Sequence, residues 1–240
     1  MVRSGKNSGQ LSTGQKIWDV VYPFVLMIIL LILCNFIVLL VAGLATATYD
    51  TSKILENAPS AALWSTVLFY ILFLILVRRN FKVDEMRFGC DQNHWPVWKN
   101  IAVTAAVVAA GEAVNLILTK SGIAKIFQGY SNAYSVTFEG QNIFLLILAT
   151  CILSPVAEEV GFRGMIYRRA RNYLGPVAAA FLAAAFFGIY HGNLIQFIYA
   201  FILGLILAFI YQKSGSLKLC IVSHSLLNLM TILVDQMGTI

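Results

Sequence analysis

Seven apolar runs constrain this chain more than any other feature: roughly Tyr22 to Ala45, Ala61 to Val77, Ile101 to Leu118, Ile143 to Glu159, Pro176 to Tyr190, Leu194 to Tyr211 and Leu219 to Val234. Most approach the ~20 residues that a helix needs to cross a bilayer. Composition agrees: 59% of the 240 residues are hydrophobic and 12% charged, with a mean hydropathy of +0.79, unlike a soluble globular domain. The expected fold is all-α, a polytopic transmembrane helix bundle of about seven spans. A polar cytoplasmic tail over residues 1–16 precedes a single transmembrane helical domain over 17–240.

The net charge of +6 is sorted by position. With the N-terminus in the cytoplasm, fourteen Lys and Arg fall on the inner side and only Lys53, Lys120 and Lys125 outside, as the positive-inside rule requires. The basic balance is thus a topology signal. A nucleic-acid partner would need a soluble basic face, and none is visible. Cys34, Cys90, Cys151 and Cys220 are scattered without a CxxC pair, so neither a disulfide framework nor a thiolate metal site follows. Leu44-Ala45-Thr46-Ala47 resembles a signal-peptidase site, but the apolar run before it is too long for a usual signal peptide and reads as an anchor. With no sorting signal in view, the expected location is the cell membrane.

Ionisable groups inside spans are costly and point to function by default. They concentrate in Ser154-Pro155-Val156-Ala157-Glu158-Glu159-Val160-Gly161-Phe162-Arg163-Gly164. Arg163 follows Glu159 by one turn on the same face, so that pair reads as structural and leaves Glu158 to act elsewhere. Pro155 frees a carbonyl a turn earlier, taken to be that of Cys151, and lets the helix bend before the acids. Met165 to Tyr173, with Arg168, Arg169 and Arg171, reads as an amphipathic extension at the inner interface. Glu112 in span three either lines the same cavity or is a carboxyl bonded to a neighbouring helix. The long outer loop Thr119 to Gln141 is a candidate lid, and His94 beside Trp95 reads as interfacial. Small residues at Ala180, Ala184, Gly188 and Gly192 offer a seam for close helix approach.

The later spans add His191, His224 and Asn228. Together with Glu158 these can run water-dependent hydrolysis of an amide. Glu158 would take the proton from water, His191 would orient that water, and His224 and Asn228 would donate hydrogen bonds to the oxyanion. Alternatively, Glu158, His191 and His224 would hold Zn2+ with an open position for water. There is no HExxH, no Gly-Xaa-Ser-Xaa-Gly and no pair of aspartates to support other protease types.

Glu158-Glu159-Val160-Gly161-Phe162-Arg163 fits Glu-Glu-x-x-x-Arg, Phe187 to His191 fits Phe-x-x-x-His, and His224 to Asn228 fits His-x-x-x-Asn. In this order the three resemble the motifs of the CPBP (Abi) family, the CAAX prenyl protease and bacteriocin-processing membrane enzymes. The resemblance covers Cys151 to Met230, within a catalytic part expected over 142–234. It implies an Rce1-like intramembrane endopeptidase with Glu158, His191, His224 and Asn228 catalytic and Glu159 and Arg163 supporting. The metal-free mechanism is preferred, because the chain supplies a His and Asn pair for an oxyanion. Implied partners are the bilayer and a hydrophobic peptide or membrane-associated protein, lipid-modified or not. Two other readings compete: a non-proteolytic membrane binding protein of the same fold (self-immunity or scaffold), and a transporter using Glu112 and Glu158.

Depth poses a difficulty. If span four ends at Glu159 and all helices stand upright, Glu158 and His224 lie about 10 to 15 Å from the inner helix ends and His191 about 22 Å. Their meeting predicts either a deeper start for span five or a tilted hairpin of spans five and six.

Overall fold

The computed structural model describes residues 11–45, 51–89, 92–120 and 142–238. Most of the polar tail, the cleavage-like Thr46-Ala47, Cys90, Lys125 and nearly all of the candidate lid lie outside these. Among the described residues seven helices follow in order: α1 (Thr13–Ala45), α2 (Thr51–Phe88), α3 (Val97–Lys120), α4 (Ile143–Leu174), α5 (Pro176–Tyr190), α6 (Leu194–Ser214) and α7 (Leu217–Gly238). Six are long and apolar enough to cross a membrane, and α5 is the shorter apolar helix. The chain is a multi-pass helical membrane protein.

Local chemistry sets the ends. Ser12 and Gln15 open α1 with a reciprocal capping box, Gln15 N to Ser12 Oγ at 3.3 Å and Ser12 N to Gln15 Oε1 at 3.1 Å. The Asn142 side chain caps α4 by accepting from Phe144 N and Leu145 N. Gly175 (φ +78) separates α4 from α5, and Gly215 (φ +68) closes α6. Both conformations favour glycine because a side chain there is strained.

The centre of the bundle is α4. From Ala157 to Ala170 every residue except Val160 is buried, including Glu158, Glu159, Arg163, Arg168 and Arg169. It is enclosed by Met27 of α1, Phe69, Phe73 and Val77 of α2, Ala179, Ala183 and Phe187 of α5, Leu203 and Leu207 of α6, and Leu227 of α7. Gly161 admits this approach: a Cβ there would lie 3.0 Å from Met27 Sδ and 3.2 Å from Phe73. The small-residue seam is used between α5 and α6, where a Cβ on Gly204 would lie 3.0 Å from the Ala184 backbone.

Charge corrects the sequence reading at the C-terminal end of α2. α2 does not stop at Arg78-Arg79 but continues to Phe88, because its polar end has partners. Arg169 donates to Asp84 Oδ2 at 2.7 Å, to the Asp19 carbonyl at 2.7 Å and to Tyr22 at 3.1 Å. Arg87 pairs with Asp19 at 3.2 Å, and Tyr173 donates to Asp19 at 2.7 Å. Arg168 is buried and donates to Tyr211. Met165 to Ala170 is therefore buried and not the amphipathic surface expected of it; Arg168 and Arg169 lock α4 to α1, α2 and α6.

The continuation of α4 also resolves the depth problem. Glu158 lies sixteen residues before Leu174 and His191 sixteen after Gly175, so each stands about 24 Å from the α4–α5 turn. At 15 residues, α5 is about 22 Å long and brings His191 to mid-bundle.

The Arg169 lock carries a test. Arg169→Met leaves the Asp84 carboxylate buried without its main partner, and loss of one member of a buried pair costs about 3–5 kcal/mol. The variant is expected to unfold at a clearly lower temperature in detergent, and an unchanged midpoint would refute the lock.

Candidate active site

Glu158 reaches the centre of the bundle on α4, 3% exposed. Its Oε1 accepts from Tyr70 of α2 at 2.5 Å and from Ser154, one turn earlier on α4, at 2.6 Å. Its Oε2 faces His224 of α7, 3.8 Å from Nε2. The carboxylate therefore points into protein, toward an imidazole, and away from lipid.

Glu159 holds the other side of that imidazole. Its Oε1 accepts from Arg163 Nη1 at 2.7 Å and meets His224 Nδ1 at 2.9 Å. A carboxylate oxygen accepts, so Nδ1 carries the proton in this pairing and Nε2 is the atom presented to Glu158. The Arg163 guanidinium lies over the Phe187 ring at 4.6 Å, and its Nη2 donates to the Gly204 carbonyl at 3.3 Å. The Glu159–Arg163 pair expected from helical spacing is present. Besides being structural, it fixes the orientation of His224.

His191 closes α5, its Nδ1 2.8 Å from the Phe187 carbonyl. A carbonyl only accepts, so that nitrogen is the donor and Nε2 is left to act as an acceptor. The His191 and His224 rings both stand edge-on to Phe187, with centroids at 4.9 and 5.9 Å. His191 is within electrostatic range of Glu158, His224 and Arg163. Helices α4, α5 and α7 thus bring the acid and both imidazoles to one region.

Asn228 sits one turn beyond His224 and donates from Nδ2 to the Thr150 carbonyl at 2.8 Å. That carbonyl is available for a physical reason. Here α4 widens to i→i+5 bonding, and Ser154 N–H goes to Ala149 O. In that register Thr150 would be served by residue 155, a proline without an N–H. The carbonyl that gains a side-chain partner is therefore that of Thr150 rather than Cys151, and one Asn228 amide proton remains for other use.

Glu112 accepts from Thr231 of α7 at 2.6 Å, the reading of a carboxyl bonded to a neighbouring helix. His94 is exposed, its backbone N–H bonded to the Ser214 carbonyl at 3.2 Å. As to zinc, among the described residues no three His, Cys, Asp or Glu side chains are gathered so as to hold a metal ion. His224 Nδ1 is committed to Glu159 and His191 Nδ1 to a carbonyl. Both Nε2 atoms are thereby left for either expectation, a water or a Zn2+ held with Glu158, and no step is derived through a metal.

Sequence reasoning missed Tyr70, which carries no signal among the apolar residues of α2. Tyr190, whose hydroxyl donates to Tyr70 at 3.1 Å, was missed as well, although it adjoins His191. Ser154 was readable as the residue one turn before Glu158.

The arrangement defines a class: a multi-pass membrane protein with a carboxylate and histidine centre buried among its helices. Residues 140–230 match the family model described as Type II CAAX prenyl endopeptidase Rce1-like. That stretch carries all three motifs, and the family resemblance is thereby shown. The chain is also 22% identical over 177 residues to the protein named "Putative membrane peptidase YdiL" of Bacillus subtilis (strain 168), covering 72% of this chain and 71% of that protein. No solved structure matches the chain.

Removing the Asn228 amide leaves the half-buried Thr150 carbonyl without this partner, which costs at most about 1–3 kcal/mol. Asn228→Ala is expected to lower the thermal midpoint of the purified protein even without substrate. A midpoint equal to wild type would show that the bond holds nothing together.

Proposed function

We propose that this protein is an intramembrane endopeptidase of the CPBP type that hydrolyses a peptide bond in a hydrophobic or lipid-modified substrate, with Glu158 activating the water. The observation that carries the proposal is the pair of Glu158 Oε2 and His224 Nε2, both residues 3% exposed, 3.8 Å apart. A water about 2.8 Å from each atom completes a triangle over that gap. Glu158 takes the proton as the water oxygen bonds to the carbonyl carbon. His191, its Nδ1 committed to the Phe187 carbonyl, has Nε2 to accept from the same water and orient it. The carbonyl electron pair moves to oxygen, where the remaining Asn228 N–H donates to it and His224 does so in the form that carries a proton on Nε2 as well as on Nδ1. As the C–N bond breaks, the proton held by Glu158 passes to the leaving nitrogen, giving a carboxylic acid end and an amine end. Within this reading the sorting of basic residues turns the site toward the cytoplasmic side. The family model over 140–230 and the relative's printed name support the reaction class.

Wild type and Glu158→Gln, purified in detergent, are compared on a peptide library by mass spectrometry, with and without a chelator. Cleavage is expected in wild type, to be lost in the variant and to be indifferent to the chelator. Loss on chelation would overturn the metal-free mechanism. Function that survives Glu158→Gln would identify a non-proteolytic binding protein of the same fold instead.

A further inference from the structure

The carboxylate of Glu158 is held asymmetrically. Both of its close donors, Tyr70 and Ser154, converge on Oε1, and neither is recorded on Oε2. Each hydroxyl has a single proton, so the 3.0 Å separation of the two hydroxyl oxygens follows from both pointing at one acceptor. At 2.5 Å the Tyr70 contact is in the range of an O–H···O⁻ bond, where a donor to an ionised group is strongest. Tyr70 is itself 4% exposed, its ring 4.6 Å from that of Phe69 and its oxygen accepting from Tyr190. It has little room to swing away.

We propose that Tyr70 and Ser154 form a two-donor clamp on Oε1 that fixes the Glu158 carboxylate with Oε2 toward His224, making Tyr70 a positioning residue for hydrolysis. The inference rests on the reading of Glu158 as the group that activates water. A carboxylate has two soft terminal torsional minima, and in the free side chain either oxygen serves. Here only one orientation satisfies both hydroxyls, and it is the one that leaves an oxygen at the imidazole. The clamp also joins α2, outside the stretch matched by the family model, to the reacting region. Tyr190 extends it to the residue next to His191, so α2, α4 and α5 are tied at the same level.

The test uses the full chain in detergent with a peptide that wild type cleaves, and reads kcat and KM separately. Tyr70→Phe keeps the ring and removes the donor. It is expected to lower kcat by about tenfold or more, as loss of a hydrogen bond to a charged group implies, with KM within about twofold because substrate contacts are untouched. Ser154→Ala is expected to behave likewise, and the double variant to approach Glu158→Gln. A wild-type kcat for Tyr70→Phe, or a loss expressed in KM alone, overturns the clamp. If Tyr70→Phe fails to fold, Ser154→Ala decides by the same criterion. The two readings fail separately. Cleavage that survives Glu158→Gln removes the proposed function. Cleavage lost in Glu158→Gln but unchanged in both clamp variants removes only this inference.

Discussion

The structure depends on how one helix keeps charge inside a bilayer. Glu159 on α4 accepts from Arg163 of its own helix and from His224 of α7 through one oxygen. The ionised groups of this core are paired with one another, and Arg163 adds a carbonyl and an aromatic face. Moving any one of these partners strands another in a medium that does not solvate it, at a cost of several kcal/mol. α4, α5, α6 and α7 are thereby fixed at one level, and the position of Glu158 beside His224 is a by-product of that pairing.

The same logic recurs near the C-terminal end of α4. Arg169 reaches α2 and α1, and Arg168 reaches α6. Two layers of charge on α4, Glu159 with Arg163 and then Arg168 with Arg169, hold the surrounding helices at two heights. Between them apolar side chains such as Phe162, Met165 and Ile166 fill the space. A helix with two charged layers and wide i→i+5 turns is poorly suited to face lipid, and the buried central position of α4 follows. The proposed hydrolysis uses the layer at Glu159, where charge and a helix irregularity coincide. The wide turn frees the Thr150 carbonyl, Asn228 takes it, and α7 is held with His224 facing the acids.

Much of this was legible from the residues. Apolar runs gave the helices, and the i,i+4 spacing gave the Glu159–Arg163 pair. Three short motifs pointed to Glu158, His191, His224 and Asn228, of which the acids and imidazoles are gathered in one region. Reading failed where hydropathy stood in for helix length. Arg78-Arg79 and Glu159 looked like ends of spans, but a helix continues through charge when the charge has partners. The same error made Arg168 and Arg169 look exposed, whereas they are buried, and put His191 at the wrong depth. Tyr70 was not legible at all, because a tyrosine among aromatic and aliphatic neighbours has no period or spacing that distinguishes it.

The sequence by itself determined the membrane class, the helical content, the local pairing of Glu159 with Arg163 and the set of polar residues available for chemistry, since these follow from hydropathy and from neighbours within a turn. Only the tertiary structure decided which oxygen of Glu158 faces His224, which ring nitrogen each histidine presents, that Asn228 serves the Thr150 carbonyl, and that Tyr70 touches the acid. Those choices depend on directions between helices distant in the chain, which are set by packing and by the partners that most buried polar groups require.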